Sequence, residues 1–182
     1  LTGGISCAMR RKENFDYKKV LENAKCIVVL EDVENPTNIG AIFRSAAAFG
    51  IDAVLLSPAC VDPFYRRAMR VSVGNALLVP WAYIGSSEAR WKEEGIGWLK
   101  EEGFQTVAMA LRSDNIRIDD PVLKQKDRLA IIMGNEGQGL AESTINAADY
   151  VAKIPMMNGV DSLNVAVAAG LAMWELTQHR NQ

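Results

Sequence analysis

The stretch CIVVLEDVENPTNIGAIFRSAAAFGIDAVLL, residues 26–56, carries the pattern that decides the fold. Residues 26–30 form a short apolar, β-branched run that ends in acidic residues, which is typical of a buried parallel strand. Residues 39–49 are almost entirely apolar and are followed by Gly50, so they predict a short helix that is buried on most sides. Residues 53–56 then form a second apolar run. The stretch therefore predicts a strand, a helix and a second strand.

The same alternation continues along the rest of the chain. Further strands are predicted at 76–81, 104–111, 129–133 and 150–154, and further helices at 63–71, 86–102 and 163–179, with Ser86 or Ser87 as the cap of the second of these helices. A turn is predicted at Asn158-Gly159. Alternating strands and helices predict an α/β fold with a mostly parallel sheet and helices on both faces.

The composition is that of a soluble globular protein with one core. The chain has 182 residues, of which 49% are apolar and 23% charged. No stretch approaches the roughly 20 apolar residues of a membrane helix, and no secretory leader begins the sequence, so we expect a cytoplasmic protein with no membrane partner. The net charge of −2 indicates that any nucleic-acid surface is a local patch.

The cysteine and histidine content excludes several kinds of chemistry. Cys7, Cys26 and Cys60 are odd in number and widely spaced, which supports neither a disulfide framework nor a zinc site. The single histidine, His179, lies near the C-terminus, which argues against hydrolytic triads that need a histidine base. We therefore predict no metal site.

Three segments rich in glycine and asparagine each follow a predicted strand, at residues 35–44, 134–140 and 154–164. In open α/β sheets, ligands bind beyond the carboxyl ends of the strands, so three such loops predict one shared site. Residues 134–139 read G-N-E-G-Q-G, which is neither the dinucleotide G-x-G-x-x-G nor a P-loop. A tight strand-to-helix turn explains this segment as well as a loop that approaches a flat ligand through its backbone.

The third segment also has a plain interpretation. Ser162 precedes an apolar helix and is suited to the role of an N-cap, and its surroundings are not those of a G-x-S-x-G nucleophile. Asn164 and Met156 are equally consistent with packing. Local sequence leaves both interpretations open.

Taken together, the three segments resemble motifs one, two and three of the SpoU/TrmH family, in the SPOUT superfamily of RNA methyltransferases. Asn38 and Arg44, six residues apart after Asn-Pro-Thr, match the first motif. Residues 134–137 match the second, and residues 154–164 match the third. The motifs keep their order, and the resemblance extends from about Cys26 to Leu176.

This resemblance implies a fold, a reaction and a domain organisation. The fold would be a parallel α/β domain at residues 25–182 whose C-terminal part forms a deep trefoil knot, a rare feature that pattern alone would not predict. Residues 1–24 would be a linker or the remnant of an upstream RNA-binding domain. The reaction would be S-adenosylmethionine-dependent methylation of a ribose 2′-hydroxyl in structured RNA, either tRNA or rRNA.

The family also implies a homodimer in which a second subunit completes the active site. Residues 165–174 agree with this, because they are small and apolar almost all round, more than one core-facing side requires. A helix buried within the core is the alternative explanation.

Residue roles follow from the resemblance by position. The catalytic set is Arg44, Asn38, Glu136, Ser162 and Asn164, and the cofactor pocket is Gly134, Asn135, Ile154, Met156, Leu163, Ala110 and Leu111. Because a guanidinium holds its proton tightly, we expect Arg44 to stabilise the developing alkoxide and clamp a neighbouring phosphate rather than act as a base. The proton would leave late, to phosphate, water or a transiently neutral Arg44, while Glu136 would fix the loop or the arginine.

RNA contacts are predicted at Arg44 and at a cluster made of Arg66, Arg67 and Arg70, beside Phe64 and Tyr65. A solvated helix face explains the cluster equally well. Three other functions remain open: a SPOUT enzyme that methylates a base nitrogen, a non-catalytic RNA-binding module of the same fold, and an unrelated nucleotide-binding α/β enzyme. The last would need phosphate motifs that the sequence lacks.

Overall fold

The computed structural model describes residues 16–112 and 115–178. Its strands are β1 Cys26–Leu30, β2 Ala53–Leu56, β3 Trp81–Tyr83, β4 Gln105–Met109, β5 Ile116–Arg117, β6 Leu129–Met133 and β7 Tyr150–Lys153. Its helices are α1 Tyr17–Leu21, α2 Pro36–Ala48, α3 Arg66–Val71, α4 Glu88–Glu101, α5 Pro121–Lys124, α6 Glu142–Ala147 and α7 Val165–Thr177, with a 3-10 turn at Asn75–Leu77. The strands form one sheet in the order β3-β2-β1-β6-β4-β7-β5, and all its paired strands are parallel. The predicted α/β fold with a parallel sheet is confirmed.

Helices cover both faces of the sheet, as predicted. Side chains alternate along a strand, so Val28 and Leu30 join a core with α2, α3, α5 and α7, while Ile27 and Val29 join a second core with α1, α4 and α6. Leu21 of α1 is fully buried in the second core, so part of the predicted linker at 1–24 packs against the folded domain. Residues 1–15 lie outside the described part of the chain.

The order of the strands brings the predicted site together. β6 lies between β1 and β4, and β7 lies on the other side of β4, with Leu30 opposite Met133 and Met109 opposite Ala152. The segments that follow these four neighbouring strands therefore emerge at one edge of the sheet. Three of them are the glycine- and asparagine-rich segments that the sequence places beyond strand ends.

Helix α2 begins three residues earlier than predicted. The Asn35 side chain accepts a hydrogen bond from the Thr37 N–H at 2.9 Å, and Pro36 occupies the first turn, where its missing N–H costs nothing. The Asn-Pro pair is therefore the start of the helix rather than part of the loop before it. The helix stops at Phe49, and Gly50 follows with φ of 66°, a conformation that favours glycine.

The predicted strand at 76–81 is wrong. Gly74, with φ of 83°, starts the 3-10 turn at Asn75–Leu77, and the strand begins only after Pro80, whose missing N–H is unsuited to a ladder. Leu78 is 75% exposed. The apolar run therefore does not mark a buried strand.

Several other bounds differ from their predictions. The helix predicted at 63–71 starts at Arg66 because Asp62 forms a turn, in which its side chain accepts from the Phe64 N–H. The strands predicted at 104–111 and 150–154 cover Gln105–Met109 and Tyr150–Lys153, and the helices predicted at 86–102 and 163–179 cover Glu88–Glu101 and Val165–Thr177. Ser87 caps α4 as predicted, and the turn at Asn158-Gly159 is present. Elements α1, β5, α5 and α6 are too short to give a periodic signal.

Helices α2 and α3 approach closely at Gly40, which leads to a stability prediction. A Cβ at this position would stand 2.5 Å from the Ala68 carbonyl oxygen and 2.8 Å from the Val71 Cβ. Because these partners are backbone and a short branched side chain, we expect Gly40→Ala to lower the free energy of unfolding by about 2 kcal/mol. Urea denaturation followed by circular dichroism measures this change.

Gly97→Ala is the matched control for that substitution. Gly97 is also a helical glycine, but a Cβ there would meet no described atom within 4 Å beyond its own helix and chain neighbours. Alanine there should stabilise the protein by about 0.5–1 kcal/mol through helix propensity. Equal stability of both variants would contradict the close α2–α3 contact.

Candidate active site

A cavity of about 500 Å³ opens at the edge of the sheet where the segments after β4, β6 and β7 meet. All seven residues predicted to contact a cofactor line it: Gly134, Asn135, Ile154, Met156, Leu163, Ala110 and Leu111. Two of the predicted catalytic residues, Glu136 and Ser162, line it as well. Its volume and mixed apolar and polar wall are those of a small-molecule site.

The loop after β6 forms one wall of the cavity and is held in a tight turn. The backbone N–H and carbonyl of Asn135 are both hydrogen-bonded to Gly139, at 3.1 and 3.0 Å. The Asn135 side chain donates to the Asp32 carbonyl oxygen at 2.7 Å and accepts from the Gly137 N–H at 2.7 Å. Residues 134–139 therefore form the tight strand-to-helix turn that the sequence predicted as one of two interpretations. The same turn lines the cavity.

Gly134 makes this turn sterically possible. A Cβ at residue 134 would stand 2.3 Å from the Gly139 carbonyl carbon and 2.4 Å from the Leu140 nitrogen. Both neighbours are backbone atoms of the returning arm of the loop. The turn can close only because residue 134 has no side chain.

Asn38 joins the three motif segments. It is 7% exposed, its Nδ2 donates to Glu136 Oε1 at 2.7 Å, and its Oδ1 accepts from Asn164 Nδ2 at 3.1 Å. Because Glu136 lines the cavity, this chain of hydrogen bonds connects the start of α2 to the cavity wall and to the start of α7. The structure thus brings together three of the five predicted catalytic residues through direct contacts.

Asn164, not Ser162, caps α7. The Asn164 Oδ1 accepts from the N–H groups of Ala166 and Val167 at 3.0 and 3.4 Å. The N-cap interpretation of Ser162 is therefore wrong, since the helix begins two residues later than that interpretation requires. Ser162 is exposed and lines the cavity.

Arg44 lies apart from the cavity of its own chain. It is exposed and lies six residues, about 9 Å along the helix axis, beyond Asn38 on α2. Within residues 16–112 and 115–178, its side chain has no hydrogen-bond or ion-pair partner, and it is not among the residues that line the cavity. Its neighbour Ser45 meets α7, since a Cβ on Gly170 would stand 3.6 Å from Ser45 Oγ. Arg44 is therefore beside the crossing of α2 and α7.

The predicted RNA-binding arginines are exposed on α3. Arg66, Arg67 and Arg70 have no ion-pair partner within the described ranges. Tyr65, which precedes them, is 56% exposed, whereas the Phe64 ring packs edge-on against Trp81 with centroids 5.1 Å apart. Tyr65 is thus available for stacking, and Phe64 is part of the core.

Several cavity residues were missed by the sequence analysis. Arg112 follows β4 and forms an ion pair with Glu142 of α6, and it also donates to Asn146 Oδ1 at 3.2 Å. Lys153 at the end of β7 and Asp161 complete the charged part of the wall. Their positions after predicted strand ends were the available signal, but that signal does not distinguish a lining side chain from a solvated one.

The remaining predictions concern metals, thiols and membranes. Across the described ranges, no group of three or more His, Cys, Asp or Glu side chains is arranged to hold a metal ion. Cys26 and Cys60 are buried, and neither forms a disulfide within the described part of the chain. Burial raises the pKa of the Cys60 thiol to about 11. Cys7 and His179 lie outside the described residues. No helix in the described part of the chain is both long and apolar enough to span a bilayer.

Comparison with known protein families gives a match over most of the chain. The model of the SpoU rRNA Methylase family matches residues 25–174. This range contains all three motif segments and every residue assigned to the site above.

Individual relatives and solved structures agree with that match. The chain is 40% identical to an uncharacterised tRNA/rRNA methyltransferase of Mycobacterium bovis over 179 residues, which cover 98% of this chain and 60% of that protein. It is 31% identical to a 23S rRNA (guanosine-2′-O-)-methyltransferase of Coxiella burnetii, covering 97% of this chain and 70% of that one. The structure of an AdoMet-bound rRNA methyltransferase from Sinorhizobium meliloti superposes with a TM-score of 0.77 at 29% identity, covering 88% of this chain and 60% of that chain. The chain spans about three fifths of the length of the mycobacterial relative.

Proposed function

We propose, because this chain belongs to the SpoU rRNA methylase family, that it transfers a methyl group from S-adenosylmethionine to a ribose 2′-hydroxyl of structured RNA. The observation that carries this proposal is the Asn38 network. It connects the residues that match the family's three motifs at one cavity, through hydrogen bonds from Asn38 to Glu136 and from Asn164 to Asn38. A shared fold alone would not require these side chains to meet.

The cavity fits the cofactor in its chemistry. Residues 134–139 present backbone groups in a tight turn, which suits hydrogen bonding to an adenine edge, and Ile154, Leu163 and Val165 offer an apolar surface for its faces. The cofactor supplies a methyl group activated by its sulfonium. Ser162, Glu136 and the residues after β4 would surround the rest of the molecule.

The chain's own residues have the task of orienting the ribose and stabilising its oxygen. Placing a hydroxyl in line with a leaving group supplies several kcal/mol of rate enhancement. Asn38 is held by Glu136 on one side and Asn164 on the other, so its position is fixed before RNA binds. Ser162 and Asn164 would hold the ribose hydroxyls, and Arg44 would stabilise the alkoxide and the adjacent phosphate.

Ribose as the acceptor is supported by the motif residues and by one relative. The Asn38-to-Arg44 spacing and the sequence Ser162-Leu163-Asn164 are those of the ribose enzymes that the chain resembles, and the Coxiella relative is named a guanosine-2′-O-methyltransferase. A base nitrogen is the competing acceptor. Resistance of the labelled linkage to alkali distinguishes the two.

A homodimer is part of the proposal. Val167, Leu171 and Trp174 follow one another at helical spacings of four and three on α7, and they are 52%, 43% and 50% exposed. Large apolar side chains that are exposed side by side, as a stripe on one face of a helix, are typical of a protein interface. Arg44 lies outside the cavity of its own chain, next to Ser45, which contacts α7, and we infer that a second copy docked on α7 brings Arg44 to the partner's cavity.

Leu171→Glu tests the dimer. A carboxylate in the middle of the stripe would be desolvated by docking, so the variant should be monomeric at concentrations where the wild type is dimeric. It should also lose methyl transfer, because Arg44 would no longer reach a cavity. Light scattering after gel filtration measures the mass.

Ala89→Asp is the control, since Ala89 is exposed on α4 across the sheet. It should remain a dimer and stay active. A wild-type chain that is monomeric at all concentrations, or a dimer that survives Leu171→Glu, would contradict the α7 interface.

RNA is the proposed substrate, and α3 its proposed contact. Arg66, Arg67 and Arg70 provide exposed positive charge next to an exposed tyrosine, a combination that suits phosphates and an unstacked base. The overall acidic chain would be steered to RNA by this local patch.

The trefoil knot is also proposed. Two observations support it. In the sheet, β6 lies between β1 and β4, and β7 lies between β4 and β5, so each is placed between two strands that precede it in sequence. After β7 the chain returns to pack α7 against α2.

The function is tested by titration calorimetry with S-adenosylhomocysteine, followed by transfer of tritiated methyl groups into unmodified total RNA. Ribose methylation blocks alkaline cleavage at that linkage, so labelled dinucleotides that survive alkali are the expected product. Labelled mononucleotides would instead identify a base methyltransferase. Absence of binding at millimolar ligand would contradict the enzyme and favour a non-catalytic RNA-binding module.

A further inference from the structure

Glu31 is a charged residue in the interior of the protein. It follows β1 directly and is 1% exposed. Burying a carboxylate is costly unless several donors compensate it. Such a residue therefore needs a structural or functional reason.

Three donors converge on its carboxylate. Oε2 accepts from Trp91 Nε1 at 2.7 Å and from Thr144 Oγ1 at 2.5 Å, and Oε1 accepts from the Ala141 N–H at 2.6 Å. Trp91 belongs to α4, while Ala141 and Thr144 belong to the start of α6. Ala141 is the N-cap of α6 and its own side chain makes no capping hydrogen bond, whereas its N–H is bound by a carboxylate 110 residues away in sequence.

The segment that Glu31 binds is a wall of the cavity. Leu140, Glu142 and Ile145 all line the cavity, and they flank the two residues that donate to Glu31. The other end of the same loop is bound by the residue next to Glu31, because Asn135 Nδ2 donates to the Asp32 carbonyl oxygen at 2.7 Å. Asp32 in turn is fixed by Ser57 and Lys92, whose contacts with its carboxylate are 2.8 and 3.1 Å.

We propose that Glu31 is a positioning residue for cofactor binding. It holds the loop after β6 and the start of α6 in place, and so keeps the cavity at the width that S-adenosylmethionine requires. This inference rests on the proposed function, because it assumes that the cavity binds that cofactor. Glu31 itself is not among the residues that line the cavity, so it acts through Leu140, Glu142 and Ile145. Nothing in the three motif segments identifies it.

Two variants weaken the hydrogen bonds between Glu31 and the cavity wall. Glu31→Gln keeps the shape but places an amide N–H₂ among three donors, and Thr144→Val removes one donor without changing the volume much. Because a hydrogen bond to a charged group is lost in each, we expect the dissociation constant for S-adenosylhomocysteine to rise about tenfold. Calorimetry measures it directly, and initial rates should show a higher KM for the cofactor with kcat less affected.

Trp91→Phe is the matched control. It removes a donor to the same carboxylate, but from α4, none of whose residues line the cavity. We expect it to lower the melting temperature while the dissociation constant stays within about twofold of wild type. A role for Glu31 in stability alone predicts that all three variants lose stability and none loses affinity.

The outcomes separate the two proposals. A wild-type chain that fails to bind S-adenosylhomocysteine overturns the proposed function and this inference with it. A wild-type chain that binds, together with Glu31→Gln and Thr144→Val variants of unchanged affinity, overturns the inference alone, and so does an equal loss of affinity in Trp91→Phe. If Glu31→Gln does not fold, Thr144→Val carries the same test.

Discussion

Replacing Arg44 with lysine is expected to lower kcat for RNA methylation by at least about a hundredfold while leaving affinity for S-adenosylhomocysteine within about twofold. Lysine keeps the positive charge but loses the planar fork of N–H groups that can hold an alkoxide and a phosphate oxygen together. Cofactor affinity should not change, because the cavity wall comes from the segments after β4, β6 and β7, whereas the proposed partners of Arg44 are the ribose oxygen and phosphate of the RNA. Single-turnover rates with saturating RNA and calorimetry with the cofactor product measure the two quantities separately.

Arg90→Lys serves as the control for Arg44→Lys. Arg90 is also an exposed helical arginine, but it lies on α4 and pairs with Glu94 at 2.7 Å. It should leave both quantities unchanged. Turnover of Arg44→Lys within about threefold of wild type would remove Arg44 from the catalytic set, and a parallel loss of cofactor affinity would indicate a role in binding instead.

The contrast between Arg44 and Asn38 shows what sequence spacing can and cannot predict. Both residues belong to one motif, and the sequence assigned both to the same site. On a helix, residues six apart point in directions about 120° apart around the axis, so they face different sides. Asn38 faces the loop after β6, and Arg44 faces outward beside α7. A motif records which residues occur together in sequence, and it does not record whether they face the same site in one chain.

The sheet could be predicted where apolar runs are buried on both faces. β1, β2 and β6 have the bounds that the sequence predicted, because every residue of each is buried and the apolar run ends with the strand. The prediction failed at residues 76–81, where apolar side chains are not evidence of burial. Leu77 and Leu78 are 52% and 75% exposed, and their apolar character has no explanation in the packing of the single chain.

The cavity wall could be predicted only in part, for a topological reason. The seven predicted cofactor residues were assigned by position from the family resemblance, and three of them, Ala110, Leu111 and Ile154, were predicted inside strands that end earlier in the structure. Arg112 and Glu142 meet only because β4 lies beside β6, and that neighbour relation comes from the sheet order rather than from any local pattern. Glu31 could not be assigned for the same reason, since its partners Ala141 and Thr144 are 110 and 113 residues away.

Gly134→Ala is expected to abolish measurable binding of S-adenosylhomocysteine, with a loss of at least about a hundredfold. The added Cβ would stand 2.3 to 2.6 Å from three backbone atoms of Gly139 and Leu140, and backbone atoms cannot rotate away as a flexible side chain can. The loop would have to open, which breaks the two hydrogen bonds between Asn135 and Gly139 and moves the backbone groups that face the cavity. Calorimetry measures the loss, and circular dichroism at low temperature establishes that the variant is folded.

Gly137→Ala distinguishes this effect from a general intolerance of the loop to substitution. Gly137 lies in the same turn and lines the same cavity, but its Cβ would meet only Asn135 Oδ1, at 3.4 Å, and its φ is not positive. Affinity should therefore stay within about threefold of wild type, as expected for an ordinary van der Waals contact. If Gly134→Ala were folded and bound the ligand as well as Gly137→Ala does, closure of the turn would not be a condition for binding. The cofactor would then have to depend mainly on the apolar residues after β7, Ile154, Met156 and Leu163, rather than on the loop after β6.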